Sequence, residues 1–283
     1  MADDPKSVRD ALRAAPGAVN LAGYETAGTA LAPGAKNRTL KSLAAAGSDL
    51  ADLQERLYAE STEAGQRAVL LVLQGMDTSG KGGVVKHVIG LCSPGGVAVT
   101  AFKKPTAEEA AHHFLWRIRK ALPRPGIIGV FDRSHYEDVL VPRVHELVPE
   151  EEWRRRYDEI NAFESALVEQ GTTVIKCLLH ISYATQRERL LARLDDPSKQ
   201  WKFNEGDIDE RAYWADYQAA YAGMLQHCSP GHAPWYVVPS DRKWYRNWAI
   251  TQLLLETLND LDPRYPERSL DLERLRRRLE PPY

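Results

Sequence analysis

Val69-Leu70-Leu71-Val72-Leu73-Gln74-Gly75-Met76-Asp77-Thr78-Ser79-Gly80-Lys81-Gly82-Gly83 is the stretch on which the fold of this chain turns. A short β-branched and leucine-rich run, well under the roughly 20 apolar residues that cross a bilayer, passes into a glycine-studded loop with one lysine. A helical pattern follows. Polyphosphate groups are bound by such a unit because glycines let the backbone come close, backbone N–H groups donate to the oxygens, and the lysine adds a point charge. Gly75 to Lys81 fit G-x-x-x-x-G-K-[ST], a Walker A-type loop, but Gly82 stands where the magnesium-binding hydroxyl belongs. Gly75, Thr78, Ser79, Gly80, Lys81 and Gly82 are the phosphate-binding set expected from this stretch.

Outward from the loop, apolar runs at 68–74, 97–103, 127–131, 173–179 and 235–238 alternate with helical patterns. Continuous rather than alternating apolar runs suit a parallel sheet covered on both faces, so the expected fold is a doubly wound, three-layer α/β sandwich with five strands. Ligands in such sheets gather at the carboxyl ends of the strands, where Gly75, Lys103 and Asp132 would emerge. Residues 1–38, rich in Ala, Gly and Pro, read as an arm lying on the surface or on a neighbouring subunit. Residues 39–283 read as a single catalytic domain. Leu40, Leu43, Leu50, Leu53 and Leu57 predict one or two covering helices, broken at Gly47 with Ser48 as a new N-cap. A charged segment at about 183–207, its helix ended by Pro197, predicts a helical lid. A second helix at about 208–227 carries Tyr213, Tyr217 and Tyr221 at i, i+4 and i+8, a stripe read as core packing. A helix near 242–261 and an arginine-rich tail at 267–280 close the chain.

A chain of 283 residues with a formal net charge of -2 can bury a large core and is not coated in basic residues for duplex nucleic acid. Cys92, Cys177 and Cys228 are odd in number, sit in or beside apolar runs and lack metal-ligand spacing, which favours reduced thiols. With no signal-type N-terminus and no membrane-length apolar run, the expectation is a soluble cytoplasmic protein without nucleic-acid or membrane partners.

The second chemical motif is Ile127-Ile128-Gly129-Val130-Phe131-Asp132-Arg133-Ser134. An apolar strand ending in Asp, in the Walker B manner, places a carboxylate beside a phosphate loop, where it can hold magnesium or its water. Taken alone, Asp132 could equally be a helix N-cap. Asp77 is unusual because a carboxylate inside the loop repels phosphates; binding a cation would resolve the conflict, and the alternative is a turn aspartate bonded to its own backbone. Arg133 can neutralise a transferring phosphoryl group, or pair with Asp132 or Glu137. Arg187, Arg189, Arg193, Lys199 and Lys202 are lid cations, and Lys103 and Lys104 lie at the same rim. His112 and His113 read as structural, and His135 is not needed as a general base because a phosphate acceptor is already ionised.

These segments together, with His135-Tyr136-Glu137-Asp138-Val139, Lys199-Gln200-Trp201-Lys202-Phe203, Ala233-Pro234-Trp235-Tyr236 and Ser240-Asp241-Arg242-Lys243-Trp244, resemble the polyphosphate kinase 2 family over about residues 40–262. The loop with Asp77 in place and Gly82 after the lysine is that family's own pattern. The resemblance implies a P-loop kinase-like fold with a helical lid that uses inorganic polyphosphate and Mg2+, with Mn2+ as a substitute, to phosphorylate nucleotides. It implies that Asp77 and Asp132 bind metal and position the acceptor phosphate. Lys81 and Arg133 would grip the phosphoryl group, and Arg193, Lys199 and Lys202 would belong to the lid. The 135–139 segment resembles the subgroup accepting both AMP and ADP, giving ADP and ATP, with Glu137 as a determinant of that range; the family also implies a homo-oligomer, dimer or tetramer. An ATP-dependent nucleoside monophosphate kinase and a non-catalytic polyphosphate-binding protein are the rival readings.

Overall fold

Apolar side chains on both faces leave a short parallel strand one stable location, the middle layer of a stack with helices above and below. The computed structural model describes residues 6–280 except Pro16 and Ala64. In chain order it contains α1 (Val8–Leu12), α2 (Lys36–Ser61), β1 (Ala68–Gln74), α3 (Lys81–His87), β2 (Val97–Ala101) and α4 (Ala107–Ala110). There follow α5 (Leu115–Lys120), β3 (Ile128–Asp132), α6 (Glu137–Val144), α7 (Glu150–Glu169) and β4 (Thr172–His180). The chain then runs through α8 (Tyr183–Leu194), α9 (Gly206–Asp209), α10 (Trp214–His227), β5 (Trp235–Pro239), α11 (Lys243–Leu261) and α12 (Leu272–Leu279).

The five strands form one parallel sheet in the order β2-β3-β1-β4-β5. Successive residues of β1 face opposite layers. Val69, Leu71 and Leu73 join Leu50, Leu57, Val84, Trp248 and Leu254 on one side, and Leu70 and Val72 join Tyr157, Phe163, Tyr221 and Met224 on the other. From β1 the chain goes first to the β2 edge, and after β3 it crosses to β4. The C-terminal end of β1 therefore sits where the strand order reverses, the position at which such sheets bind ligands.

The strands lie where the apolar runs place them, but three expectations change. Helix α2 is continuous through Gly47, which is buried against Leu91; the glycine serves a close approach rather than a break. The stretch read as a surface arm packs into its own chain: Val8 and Leu12 are buried, and Glu256 accepts hydrogen bonds from the Val8 and Arg9 N–H groups (2.8 and 3.0 Å), satisfying donors that α1 leaves free. The helix expected at about 208–227 begins at Trp214, after α9 and a 3-10 turn at Glu210–Tyr213, so Tyr213 is exposed while Tyr217 and Tyr221 are buried as the stripe requires. All three cysteines are buried free thiols.

One buried polar network fixes the turn after β3. Lys176 of β4 donates to Glu164 of α7, to Tyr136 Oη (2.9 Å) and to Cys228 O (2.8 Å). Tyr136 Oη donates to Glu164 Oε1 (2.9 Å), and His135 Nε2 lies 3.1 Å from the same oxygen. Lys176, Glu164, His135 and Tyr136 are all fully buried. Burial alone would push the Glu164 carboxyl up, but Lys176 and His135 outweigh it and hold it below the usual glutamate range.

Lys176→Met leaves Glu164 as a buried charge without its cation and is expected to destabilise the fold by about 3–5 kcal/mol in denaturant unfolding. Because the folded-state pKa of Glu164 is depressed, its share of stability is present above the unfolded value and is lost as pH falls through the folded one. Chemical unfolding across pH 2–5 measures that loss, and Glu164→Gln is expected to flatten it.

Candidate active site

The loop after β1 turns sharply because Thr78 adopts φ 64°, a left-handed conformation that a β-branched residue takes only under outside constraint. Ser79 N–H donates to Met76 O (3.0 Å), and the chain then enters α3 through Gly80. Lys81 bends back across the loop and donates to Gly75 O (2.7 Å) and Met76 O (3.4 Å). Thr78 Oγ1 and Ser79 Oγ are buried without a hydrogen-bond partner among the described residues. Buried hydroxyls without partners are costly and mark a place shaped for an oxygen-rich ligand.

Strand β3 delivers the second half. Its register pairs Asp132 with Leu73 of β1, and Arg133 N–H donates to Leu73 O (3.0 Å), so β3 ends beside the loop. Arg133 also has φ 64°, and its Nη2 donates to Asp77 Oδ1 at 2.8 Å. Asp77 is thus neither bonded to its own backbone nor isolated. Burial pushes its carboxyl up, but Lys81, Arg133 and Arg193 prevail and hold it low. Burial opposes the Arg133 charge, and Glu137 and Asp77 overcome it, so the guanidinium is held above its usual range. Glu137, at the start of α6, accepts from Gln74 Nε2 (3.0 Å); desolvation raises its pKa against the pull of Arg133 and Lys81. Asp77, Lys81, Arg133 and Glu137 therefore form one coupled cluster.

The lid reaches this cluster from α8. Arg193 pairs with Asp207 of α9 (3.1 Å) and donates to Lys202 O (3.1 Å), and its charge helps to hold Asp77 ionised. Gln186 Nε2 donates to Asp77 O (3.2 Å), and Arg189 Nη1 donates to Thr78 O (2.9 Å) and Ser79 O (3.1 Å). Lys199 is paired with Asp196 inside the lid, Lys202 lies 4.9 Å from the Trp201 ring centre, and Lys103 is exposed past the end of β2. These three rim cations are not drawn into the cluster. Gly75, Gly80 and Gly82 line the loop backbone, and a side chain at Gly82 would meet nothing within 4 Å.

Gln74, Gln186 and Asp207 take part in this arrangement without having been legible as site residues. Each looks like ordinary strand or helix composition, and only its partner reveals it. Arg189 was visible as a lid cation, but its landing point on the loop carbonyls was not.

The donor set suits magnesium. Among the described residues no group of three or more His, Cys, Asp or Glu forms a metal cage. Magnesium keeps several waters and is held by one or two carboxylates plus substrate phosphates. Asp77 is in the loop that carries the orphaned hydroxyls, and Asp132 ends the neighbouring strand opposite Leu73, so these two are the carboxylates that could hold such an ion. No helix among the described residues is long and apolar enough to cross a membrane.

Known proteins are similar to this chain over most of its length. A family model for polyphosphate kinase 2 matches residues 34–266. The chain is 45% identical over 251 residues to the AMP/ADP-polyphosphate phosphotransferase of Meiothermus ruber, covering 89% of this chain and 92% of that one. It is 44% identical over 230 residues to the ADP-polyphosphate phosphotransferase of Rhodopseudomonas palustris, covering 77% and 78%. The crystal structure of polyphosphate kinase 2 from Arthrobacter aurescens TC1 superposes with a TM-score of 0.93 at 48% identity, over 99% of this chain and 98% of the other. The matched residues contain the loop of Asp77 and Lys81, the strand end at Asp132, the lid and α11, and this chain belongs to the polyphosphate kinase 2 family.

Proposed function

We propose that this protein transfers the terminal phosphoryl group of inorganic polyphosphate to AMP and to ADP, giving ADP and ATP. The observation that carries the reading is Asp77: a carboxylate inside a phosphate-binding loop, paired with Arg133 and flanked by Lys81. A loop for a nucleotide triphosphate donor gains nothing from that negative charge. A site that must bring two polyanions together can use it, through a cation shared by both.

Phosphoryl transfer needs alignment and charge neutralisation more than covalent chemistry. Loop amides and Lys81 receive the donor's oxygens, with Lys81 leaving Gly75 O to do so. Arg133 turns from Asp77 towards the group in transfer, and the lid closes with Arg193. Asp77 and Asp132 would hold magnesium, which would supply neutralisation of phosphate charge. The acceptor's terminal oxygens are already ionised, so no side chain has to remove a proton. Glu137, held between Gln74 and Arg133, is the residue to which we assign the acceptor range. We also infer that the protein works as a homo-oligomer, an expectation that rests on the family likeness and that light scattering of the purified protein measures.

Incubating the protein with polyphosphate as sole donor, Mg2+, and AMP or ADP is expected to yield ADP and ATP; AMP phosphorylated only when ATP is supplied would refute the donor assignment. Asp132→Asn is expected to abolish transfer while thermal unfolding stays unchanged, and Arg133→Ala to slow it by about 1000-fold or more, the scale of a lost transition-state arginine. Burial raises the Glu137 carboxyl, so it protonates above the ordinary glutamate range as pH falls. The acid limb of the rate profile is therefore expected to sit above the ordinary glutamate range and to shift in Glu137→Gln, together with the ratio of AMP to ADP turnover.

A further inference from the structure

Arg246, in the first turn of α11, is a buried cation that the transfer steps leave unused. It is 2% exposed, and its guanidinium donates to Ser79 O (3.1 Å) and to Asn247 Oδ1 (2.8 and 3.2 Å). Arg189 Nη1 reaches the same Ser79 oxygen at 3.1 Å and also holds Thr78 O, while its Nη2 donates to Ser240 O and Asp241 O. Two like charges share one carbonyl, and among the described residues neither donates to a carboxylate. Asp241 and Glu188 are the acids whose fields reach Arg189, and Asp241 has its carboxylate oxygens on Thr26 Oγ1 (2.7 Å) and Ser182 N–H (2.9 Å). Burial, and Arg189 after it, pull Arg246 down to about 10. Lys243 is also held low, by burial and by Arg189, Arg246 and Lys199.

A buried charge without a counter-charge is strongly destabilising unless some other event offsets it. The loop is shaped around this one. A Cβ on Gly80 would collide with Arg246 Nη1, and one on Gly83 would lie 2.7 Å from Nη2, whereas Gly82 between them faces open space. Two glycines of the motif therefore make room for a guanidinium on the buried side of the loop. Thr78, the strained residue, has its carbonyl held on that side by Arg189.

We propose, resting on the polyphosphate reading above, that Arg246 with Arg189 is a positioning pair for the phosphoryl donor. The two guanidinium groups hold the Thr78 and Ser79 carbonyls on the buried side, so that the loop presents its amide side to the polyanion, and the bound polyanion balances their charge. The pair acts through the loop and touches no reacting atom.

Arg246→Met keeps the side-chain length and removes the charge. It is expected to leave the melting temperature of the ligand-free protein unchanged or higher, and to shrink the rise produced by inorganic tripolyphosphate. KM for polyphosphate is expected to increase by about tenfold while KM for the nucleotide stays within about twofold. Arg246→Lys keeps the charge without the forked grip and is expected to show a smaller rise in the same KM; should Arg246→Met not fold, this variant carries the test. An unchanged polyphosphate KM in the folded variants, or equal rises in both KM values, overturns the assignment. A wild-type protein that is stabilised by tripolyphosphate in an Arg246-dependent way yet transfers nothing from polyphosphate refutes the donor reading and leaves the positioning pair standing.

Discussion

The ion pair between Arg133 and Asp77 joins the two halves on which everything else depends. It exists because β1 and β3 are neighbours in register, with Arg133 N–H on Leu73 O and its side chain across the loop to Asp77. Parallel pairing aligns strand ends, so a residue just past β3 meets one just past β1 without any loop having to search for it. The left-handed backbone at Arg133 and Thr78 is the conformational cost of aiming both segments at one point. The buried network of Lys176, Glu164, His135 and Tyr136 holds the far side of that turn, so the aim does not drift.

Charge in this site is balanced within the protein before any substrate arrives. Arg133 rests on Asp77, Arg193 on Asp207, and Lys81 on loop carbonyls. Arg189 and Arg246, like Lys81, donate to no carboxylate among the described residues, but they grip the loop carbonyls from the buried side. The site thus combines cations paired with carboxylates, Arg133 and Arg193, with cations held by loop carbonyls, Lys81, Arg189 and Arg246.

Much of this was legible in the sequence because its causes are local. The strand at 68–74, the glycine loop with Lys81 and the strand ending in Asp132 follow from apolar runs and motif spacing, and the structure places these strands within a residue of their expected bounds. Gly47 misled for the opposite reason: a glycine in a helical pattern signals a break by propensity, while its packing against Leu91 is a matter of what lies opposite. The sparse apolar content of residues 1–38 likewise suggested a surface arm, although a few well-placed side chains, Val8 and Leu12 among them, suffice to dock it once α11 offers Glu256 as a cap.

The sequence by itself determined the fold class, the phosphate loop and the carboxylates at its rim, since each is encoded by residues within a turn or a strand of one another. Only the tertiary structure decided what those residues touch. Arg133 donates its hydrogen bond to Asp77, 56 positions away, rather than to its neighbour Asp132, and Ser79 meets Arg246 across 167 positions. Pairings over such distances are chosen by packing and by the geometry of the sheet, which no local pattern of residues records. The loop at Gly75 to Gly83 is therefore readable as a phosphate site from its own residues, while the guanidinium groups that shape it from behind are visible only in the folded chain.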